Sequence, residues 1–279
     1  ITHFEMGNTL LVEYLRRSTY RYLKSHQRMF DTEKRILKFI RKSTRLAYKS
    51  DIQAEFVLGH SLGEFSALVS AGAINYLDAV ELVHKRGLFM TEACSGQNAG
   101  MMALVGLEDS IVEKICKEQL ELGKKVWPAN YNMDGQLVLA GLKADLESLV
   151  DTFKEAGAKR AIVLDMSVAS HCELLTAAVE NLKPYLEEYL KDEFLPVISN
   201  VTTESYTTKD DAIELLSSQL TSPVKYKQSI LANTNVDAFI EFGNGIVLKG
   251  LNRKICKAIP TLNVSDFKSL EKTIEALND

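Results

Sequence analysis

Phe56-Val57-Leu58-Gly59-His60-Ser61-Leu62-Gly63-Glu64-Phe65-Ser66-Ala67-Leu68 is the stretch on which the reading of this chain turns. Phe56-Val57-Leu58 is a short apolar run and reads as a buried strand, and Leu62 to Gly72 reads as the helix that follows. Between them Gly59-His60-Ser61-Leu62-Gly63 fits the pattern G-x-S-x-G, a tight strand-to-helix turn that exposes a serine hydroxyl. Glycine is required two residues before and after the serine because side chains there would collide across the turn. The helix N-terminus directs free N–H groups, chiefly that of Leu62, to where an oxyanion would form. A bare match to the pattern carries little weight. With a strand and a helix in register on either side, Ser61 becomes a candidate nucleophile, against the alternative of a glycine-rich connection with an incidental serine.

A serine hydroxyl needs a base to take its proton. The five histidines are His3, His26, His60, His84 and His171. His60 adjoins the serine and is expected to point away from it. His84 falls opposite the apolar stripe of its helix, and His3 and His26 lie in an atypical N-terminal region. By elimination His171, in Ser167-Val168-Ala169-Ser170-His171-Cys172, is the candidate base; its alternative role is a helix cap or a surface histidine.

In the helix after the nucleophile, Ala79, Leu82, Val83, Phe89 and Met90 form a stripe at helical spacing, and Arg86 falls on that stripe. A guanidinium facing inward needs an anion, because burying it unpaired costs several kcal/mol. Either an internal carboxylate such as Glu64 pairs with it, or a substrate carboxylate does, held by the bidentate fork that arginine offers. An esterase acting on neutral acyl groups has no use for the second arrangement.

Apolar runs and amphipathic helices alternate from Gln53 onward, which implies an α/β fold. Helices are expected over Asp78 to Cys94 and Cys172 to Lys191, the latter bent at Pro184. A strand is expected over Phe239 to Phe242, with Gly243-Asn244-Gly245 turning into a helix near Ile246. The rhythm differs between 98 and 166. Strands over Met101–Gly106, Lys125–Ala129, Gln136–Ala140 and Arg160–Leu164 alternate with helices over Glu108–Leu122 and Ala144–Ala156. That β-α-β-β-α-β order is the ferredoxin-like unit, read as a small subdomain (98–166) inserted in an α/β core formed by 1–97 and 167–279.

With 46% hydrophobic and 25% charged residues in 279, a disordered or fibrous chain is excluded. No apolar stretch approaches the length needed to cross a bilayer, and no secretory signal is read at the N-terminus. Cys94, Cys116, Cys172 and Cys256 are scattered without metal or disulfide spacing, which points to a reducing cytoplasm and to no metal site. The net charge of −4 is uneven: residues 1–50 hold 12 Lys/Arg against 4 Asp/Glu. Those residues read as basic amphipathic helix, for example Asp31 to Tyr48, either a solvated face or a contact for an acidic partner. A nucleic-acid role has no other support.

The Gly59–Leu68 segment, Lys85-Arg86-Gly87, Asn130-Tyr131-Asn132, Gly135-Gln136-Leu137-Val138, Ser167–Cys172, Gln219-Leu220-Thr221-Ser222-Pro223-Val224 and Glu241-Phe242-Gly243-Asn244-Gly245-Ile246-Val247-Leu248 occur in this order. As a set they resemble the malonyl-CoA:acyl carrier protein transacylase family of bacterial type II fatty acid synthesis. The resemblance implies an α/β-hydrolase-like core with an inserted ferredoxin-like subdomain, Ser61 as nucleophile and His171 as base. It implies that the backbone carbonyl of Gln219 orients the histidine and that Arg86 binds the malonyl carboxylate, with Asn130 and Asn132 lining or supporting the site. The implied reaction is ping-pong transfer of malonyl from malonyl-CoA to acyl carrier protein, in a cytoplasmic, monomeric enzyme without cofactor, metal, nucleic acid or membrane. Family members open with a strand and a Gly-Gln-Gly-x-Gln loop that completes the oxyanion hole, and residues 1–50 hold no such motif. Loss of one oxyanion donor costs about 100- to 1,000-fold in rate. Asn244 stands where proline is usual, and Tyr226 where tryptophan is common. A serine esterase or thioesterase, or a catalytically impaired relative that still binds carrier protein, are the alternatives.

Overall fold

The computed structural model describes residues 2–6, 54–243 and 245–278. The helix expected over Asp31 to Tyr48 and the turn residue Asn244 lie outside the described residues. Thr2–Met6 (β1) is a strand, which corrects the reading of the chain's opening as wholly helical. Its backbone pairs in parallel with neighbours on both edges, and tertiary pairing of that kind overrides a mixed local composition.

The expected strand before the candidate nucleophile is Val57–Gly59 (β2), buried throughout and parallel to β1, with Gly59 opposite Met6. Helix Leu62–Ala71 (α1) follows and closes on Gly72, whose left-handed backbone (φ 84°) suits glycine. Helix Tyr76–Ala93 (α2) then buries Ala79, Leu82, Val83, Arg86 and Met90, so the apolar stripe read from the sequence is the buried face.

The segment with the different rhythm forms its own antiparallel sheet. Ala99–Val105 (β3) leads to Asp109–Glu121 (α3), then to Val126–Met133 (β4) and Gln136–Leu142 (β5). The single helix expected over Ala144–Ala156 is two short ones, Lys143–Ser148 (α4) and Val150–Glu155 (α5), before Arg160–Val163 (β6). The strand order is β4-β5-β3-β6. This sheet and its helices share a core of Met102, Leu104, Val112, Leu139, Leu146 and Phe153. Strand β4 runs past the expected Ala129 to Met133. It carries Pro128, which an edge strand tolerates, and a register shift follows at Asn130. There the N–H of Tyr131 donates to the Val224 carbonyl (2.9 Å), and the N–H of Val224 donates to the Ala129 carbonyl (2.8 Å). The bulge thus joins the small sheet to the larger one's loops.

A 3₁₀ turn at Glu173–Leu175 replaces the first turn of the expected long helix, which runs as Thr176–Tyr189 (α6) through Pro184. The remaining elements are Glu193–Ile198 (β7), Ser205–Thr208 (β8), Lys209–Thr221 (α7), Tyr226–Ala232 (α8), Ala238–Phe242 (β9), Val247–Ile255 (α9), Thr261–Val264 (β10) and Phe267–Asn278 (α10). The larger sheet has the order β10-β9-β1-β2-β7-β8 and is parallel except for the β7–β8 pair. The fold is mixed α/β. Its consequence for chemistry is that Ser61 leaves the carboxyl end of a central parallel strand, where open α/β sheets present their ligand sites.

Candidate active site

Ser61 occupies backbone space that L-residues avoid, φ 55° and ψ −107°, a strain of about 1–3 kcal/mol that surrounding structure must hold. Glycine at 59 is what lets the turn close: a Cβ there would lie 2.0 Å from the Gly63 carbonyl carbon. Serine at a helix N-cap usually bonds the N–H groups of the first turn. Here the side chain makes no such bond, and its Oγ lies 2.7 Å from Nε2 of His171. Leu62 is the first helical residue, so its N–H has no partner within the helix.

His171 is buried and also has a positive φ, 61°. Its Nδ1 lies 2.7 Å from the backbone oxygen of Gln219. Gln219 is in the last turn of α7, where carbonyls lack intrahelical partners, so this one is free to accept. A carbonyl only accepts, so Nδ1 carries the proton and Nε2 is left to accept from the serine. Burial, and then the nearby Arg86 charge, bring the imidazole down to about 3. It is therefore neutral, and able to take a proton, at any physiological pH.

Arg86 reaches the same point from α2. One terminal nitrogen (Nη2) donates to Ser61 Oγ at 3.3 Å and to Oε1 of Gln219 at 3.1 Å. Its Nε is buried with no hydrogen-bond partner among the described residues, and its Cζ stands 5.5 Å from the centre of the Phe65 ring. Burial lowers it to about 10, and the Glu64 carboxylate acts in the opposite sense, so it stays cationic. Of the two partners left open by the sequence, Glu64 is not in direct contact: among the described residues no ion pair joins it to Arg86.

The asparagines divide. Asn132 Oδ1 lies 2.8 Å from Nε2 of His60, whose ring is 5.4 Å from that of Tyr226. His60 thus turns from the serine, as expected, and ties the Ser61 turn to β4. Asn130 is buried and joins through its backbone bridge to Val224. One residue absent from the sequence reading matters more. Asn200, in the turn after β7, accepts the N–H of Ser61 at 2.6 Å and donates Nδ2 to the Gly59 carbonyl at 2.6 Å. It clamps both sides of the strained turn. A short polar loop, Ser199-Asn200-Val201-Thr202, offers no periodic signal for this.

The four cysteines are free thiols. Among the described residues, no group of three or more His, Cys, Asp or Glu could hold a metal, and no helix is long and apolar enough to cross a membrane.

Residues 48–254 match the family model described as acyl transferase domain. A malonyl CoA-acyl carrier protein transacylase of Bacillus subtilis is 42% identical over 234 residues, covering 83% of this chain and 74% of that one. The crystal structure of malonyl-CoA:acyl carrier protein transacylase from Helicobacter pylori superposes with a TM-score of 0.85 at 35% identity, covering 100% of this chain and 98% of that one. A malonyl-transacylase solved in complex with a type II polyketide acyl carrier protein gives 0.83 at 28% identity, covering 98% and 99%. The chain therefore belongs to the acyl transferase domain family, among the malonyl CoA-acyl carrier protein transacylases.

Proposed function

We propose that this protein transfers a malonyl group from malonyl-CoA to the phosphopantetheine thiol of acyl carrier protein, through an ester on Ser61. One observation carries the assignment of residues: the Ser61 hydroxyl lies within hydrogen-bond distance of both a neutral imidazole and a buried guanidinium. A nucleophile, its base and a receptor for a carboxylate share one point.

In the first half-reaction His171 Nε2 takes the proton of Ser61 as Oγ attacks the thioester carbonyl. The tetrahedral oxyanion is received by the Leu62 N–H at the head of α1. Collapse expels the thiolate of coenzyme A, which takes the proton from His171 and departs as thiol. In the second half the carrier's thiol gives its proton to His171 and attacks the acyl-serine carbonyl. Ser61 leaves and recovers that proton from the imidazolium. Arg86 holds the free carboxylate of the malonyl group throughout, and through the His60–Asn132 bond β4 supports the nucleophile turn.

The architecture supports this reading. We take it as an α/β-hydrolase-like core with residues 98–166 inserted as a ferredoxin-like subdomain. The order β4-β5-β3-β6 is that unit's antiparallel arrangement, and a serine at a strand-to-helix elbow fits the core. Free thiols fit a cytoplasmic setting. The esterase alternative is disfavoured by a cationic group buried beside the nucleophile, which an uncharged acyl chain would leave unpaired.

Arg86→Ala tests the assignment. With malonyl-CoA, kcat/KM should fall at least about tenfold more than with acetyl-CoA, as expected for one charge-assisted hydrogen-bonded pair. An equal loss on both substrates would remove Arg86 as the carboxylate receptor.

A further inference from the structure

The mechanism leaves one buried ionisable group at the site unused. Glu64 lies in the first turn of α1, three residues beyond the nucleophile, and is completely buried. Burial raises its carboxyl to about 7, while hydrogen bonds from Gln219, Tyr206 and Asn200 and the charge of Arg86 act the other way. A carboxylate in such a place costs several kcal/mol unless donors surround it. Here they come from three separate segments: Tyr206 Oη donates to Oε1 (2.8 Å), and the Asn200 N–H (3.1 Å) and Gln219 Nε2 (2.7 Å) donate to Oε2.

The Gln219 side chain is the informative partner. Its Nε2 also donates to the Ser61 carbonyl at 3.1 Å, while its Oε1 accepts from Arg86 at 3.1 Å. The two ends of a primary amide are nearly the same shape, so only their partners decide which end faces which neighbour. Turned over, the amide would set its NH₂ against a guanidinium, donor against donor. Oε2 of Glu64, which already accepts from the Asn200 N–H, faces the amide as an acceptor, so Glu64 opposes that turn.

We propose that Glu64 is a positioning residue for acyl selectivity: through the Gln219 amide it holds the Arg86 guanidinium in the orientation that receives the substrate's free carboxylate. This rests on the reading that Arg86 is that receptor, and it adds how the receptor is aimed. Glu64→Gln should keep the relay, because its carbonyl oxygen can still accept from Gln219 and Asn200 while its NH₂ donates to the Tyr206 oxygen. Glu64→Leu removes the acceptor at similar size and releases the amide.

The test is the ratio of kcat/KM for malonyl-CoA to that for acetyl-CoA. Glu64→Leu should lower the ratio at least about tenfold, one charge-assisted bond's worth, chiefly by raising KM for malonyl-CoA. Glu64→Gln should stay within about threefold of wild type, since less than one hydrogen bond changes. In an Arg86→Ala background, Glu64→Leu should change the ratio no further, because coupled residues act as one unit. A folded Glu64→Leu protein with an unchanged ratio overturns the proposal. So does an equal loss on both substrates, or a further fall in the Arg86→Ala background. Should Glu64→Leu not fold, Gln219→Met asks the same question, because it deletes the amide and keeps the backbone carbonyl that orients His171. An undiminished ratio there is equally fatal. If Arg86→Ala alone spares the ratio, the receptor assignment fails and the relay with it. If Arg86→Ala lowers the ratio and the Glu64 and Gln219 variants do not, only the relay fails.

Discussion

The backbone oxygen of Gln219 stands 2.7 Å from Nδ1 of His171, the place that a carboxylate takes in a serine triad. A neutral acceptor fixes the tautomer and favours the imidazolium only modestly, while burial and the nearby Arg86 charge act more strongly against it. In the proposed reaction His171 stays uncharged until the serine yields its proton. A backbone atom also cannot be removed by substitution, so the dyad's orientation depends on where α7 ends.

The first prediction concerns acid stability. The folded-state value for His171 lies near 3, below the usual 6.5, so the unfolded chain binds the extra proton first. Its contribution is whole above about pH 6.5 and is lost as pH falls toward 3. Glu64, raised to about 7, works in the opposite sense: its contribution is whole below the ordinary carboxylate range and is lost as pH rises through 7. Comparing two proteins that both retain Glu64 cancels it. Urea midpoints should fall more steeply between pH 6.5 and 4 for wild type than for His171→Gln; parallel slopes would contradict the buried neutral imidazole.

Gly59→Ala should disable the nucleophile turn. The new methyl group would meet the Gly63 carbonyl carbon at 2.0 Å and its oxygen at 2.1 Å, backbone atoms that cannot swing aside. A loss of about 3 kcal/mol or more is expected, beyond ordinary overpacking, together with loss of transfer activity. Thermal denaturation and an activity assay read both.

Asn200→Ala should cost about 1–3 kcal/mol, the penalty for leaving the Ser61 N–H and the Gly59 carbonyl without their partner. Transfer should slow at least about tenfold as the strained serine relaxes, since small misplacements at a reacting centre are expensive. Chemical denaturation and kcat measure the two effects, and an active, equally stable variant would show that Ser61 holds its backbone unaided.

How far the site was legible follows from how local each signal is. Ser61 and Leu62 could be read because strand, turn and helix lie in thirteen consecutive residues, and Arg86 because it interrupts an apolar stripe of helical period. His171 was reached by elimination among few histidines, and Gln219 only through resemblance. Asn200 and Tyr206 were invisible: their partners in the elbow lie 139 to 142 residues away, and no periodicity spans such a gap. The same reason hid β1. Thr2-His3-Phe4-Glu5-Met6 lacks the apolar run of a buried parallel strand, and its assignment comes from pairing to β2 and β9. The 3₁₀ turn before α6 is a shift of one turn at a helix end, where sequence signals are weakest, whereas the break at Leu149 between α4 and α5 lies inside the expected helix.

Arg86→Lys should behave much more like Arg86→Ala than like wild type. Lysine keeps the charge and loses the planar fork that can donate to Gln219 Oε1 and to a carboxylate at once. KM for malonyl-CoA should rise at least about tenfold, the value of one charge-assisted bond, with kcat less affected. Recovery of wild-type KM by lysine would mean that charge alone suffices.

The central claim is a covalent malonyl ester on one serine. Brief incubation with malonyl-CoA in the absence of carrier protein, followed by acid quench, proteolysis and mass spectrometry, tests it most directly. The peptide carrying Ser61 should gain one malonyl group, and added carrier protein should remove it; Ser61→Ala should gain none. A malonyl group found on another residue, or transfer to the carrier that persists undiminished in Ser61→Ala, would contradict the account.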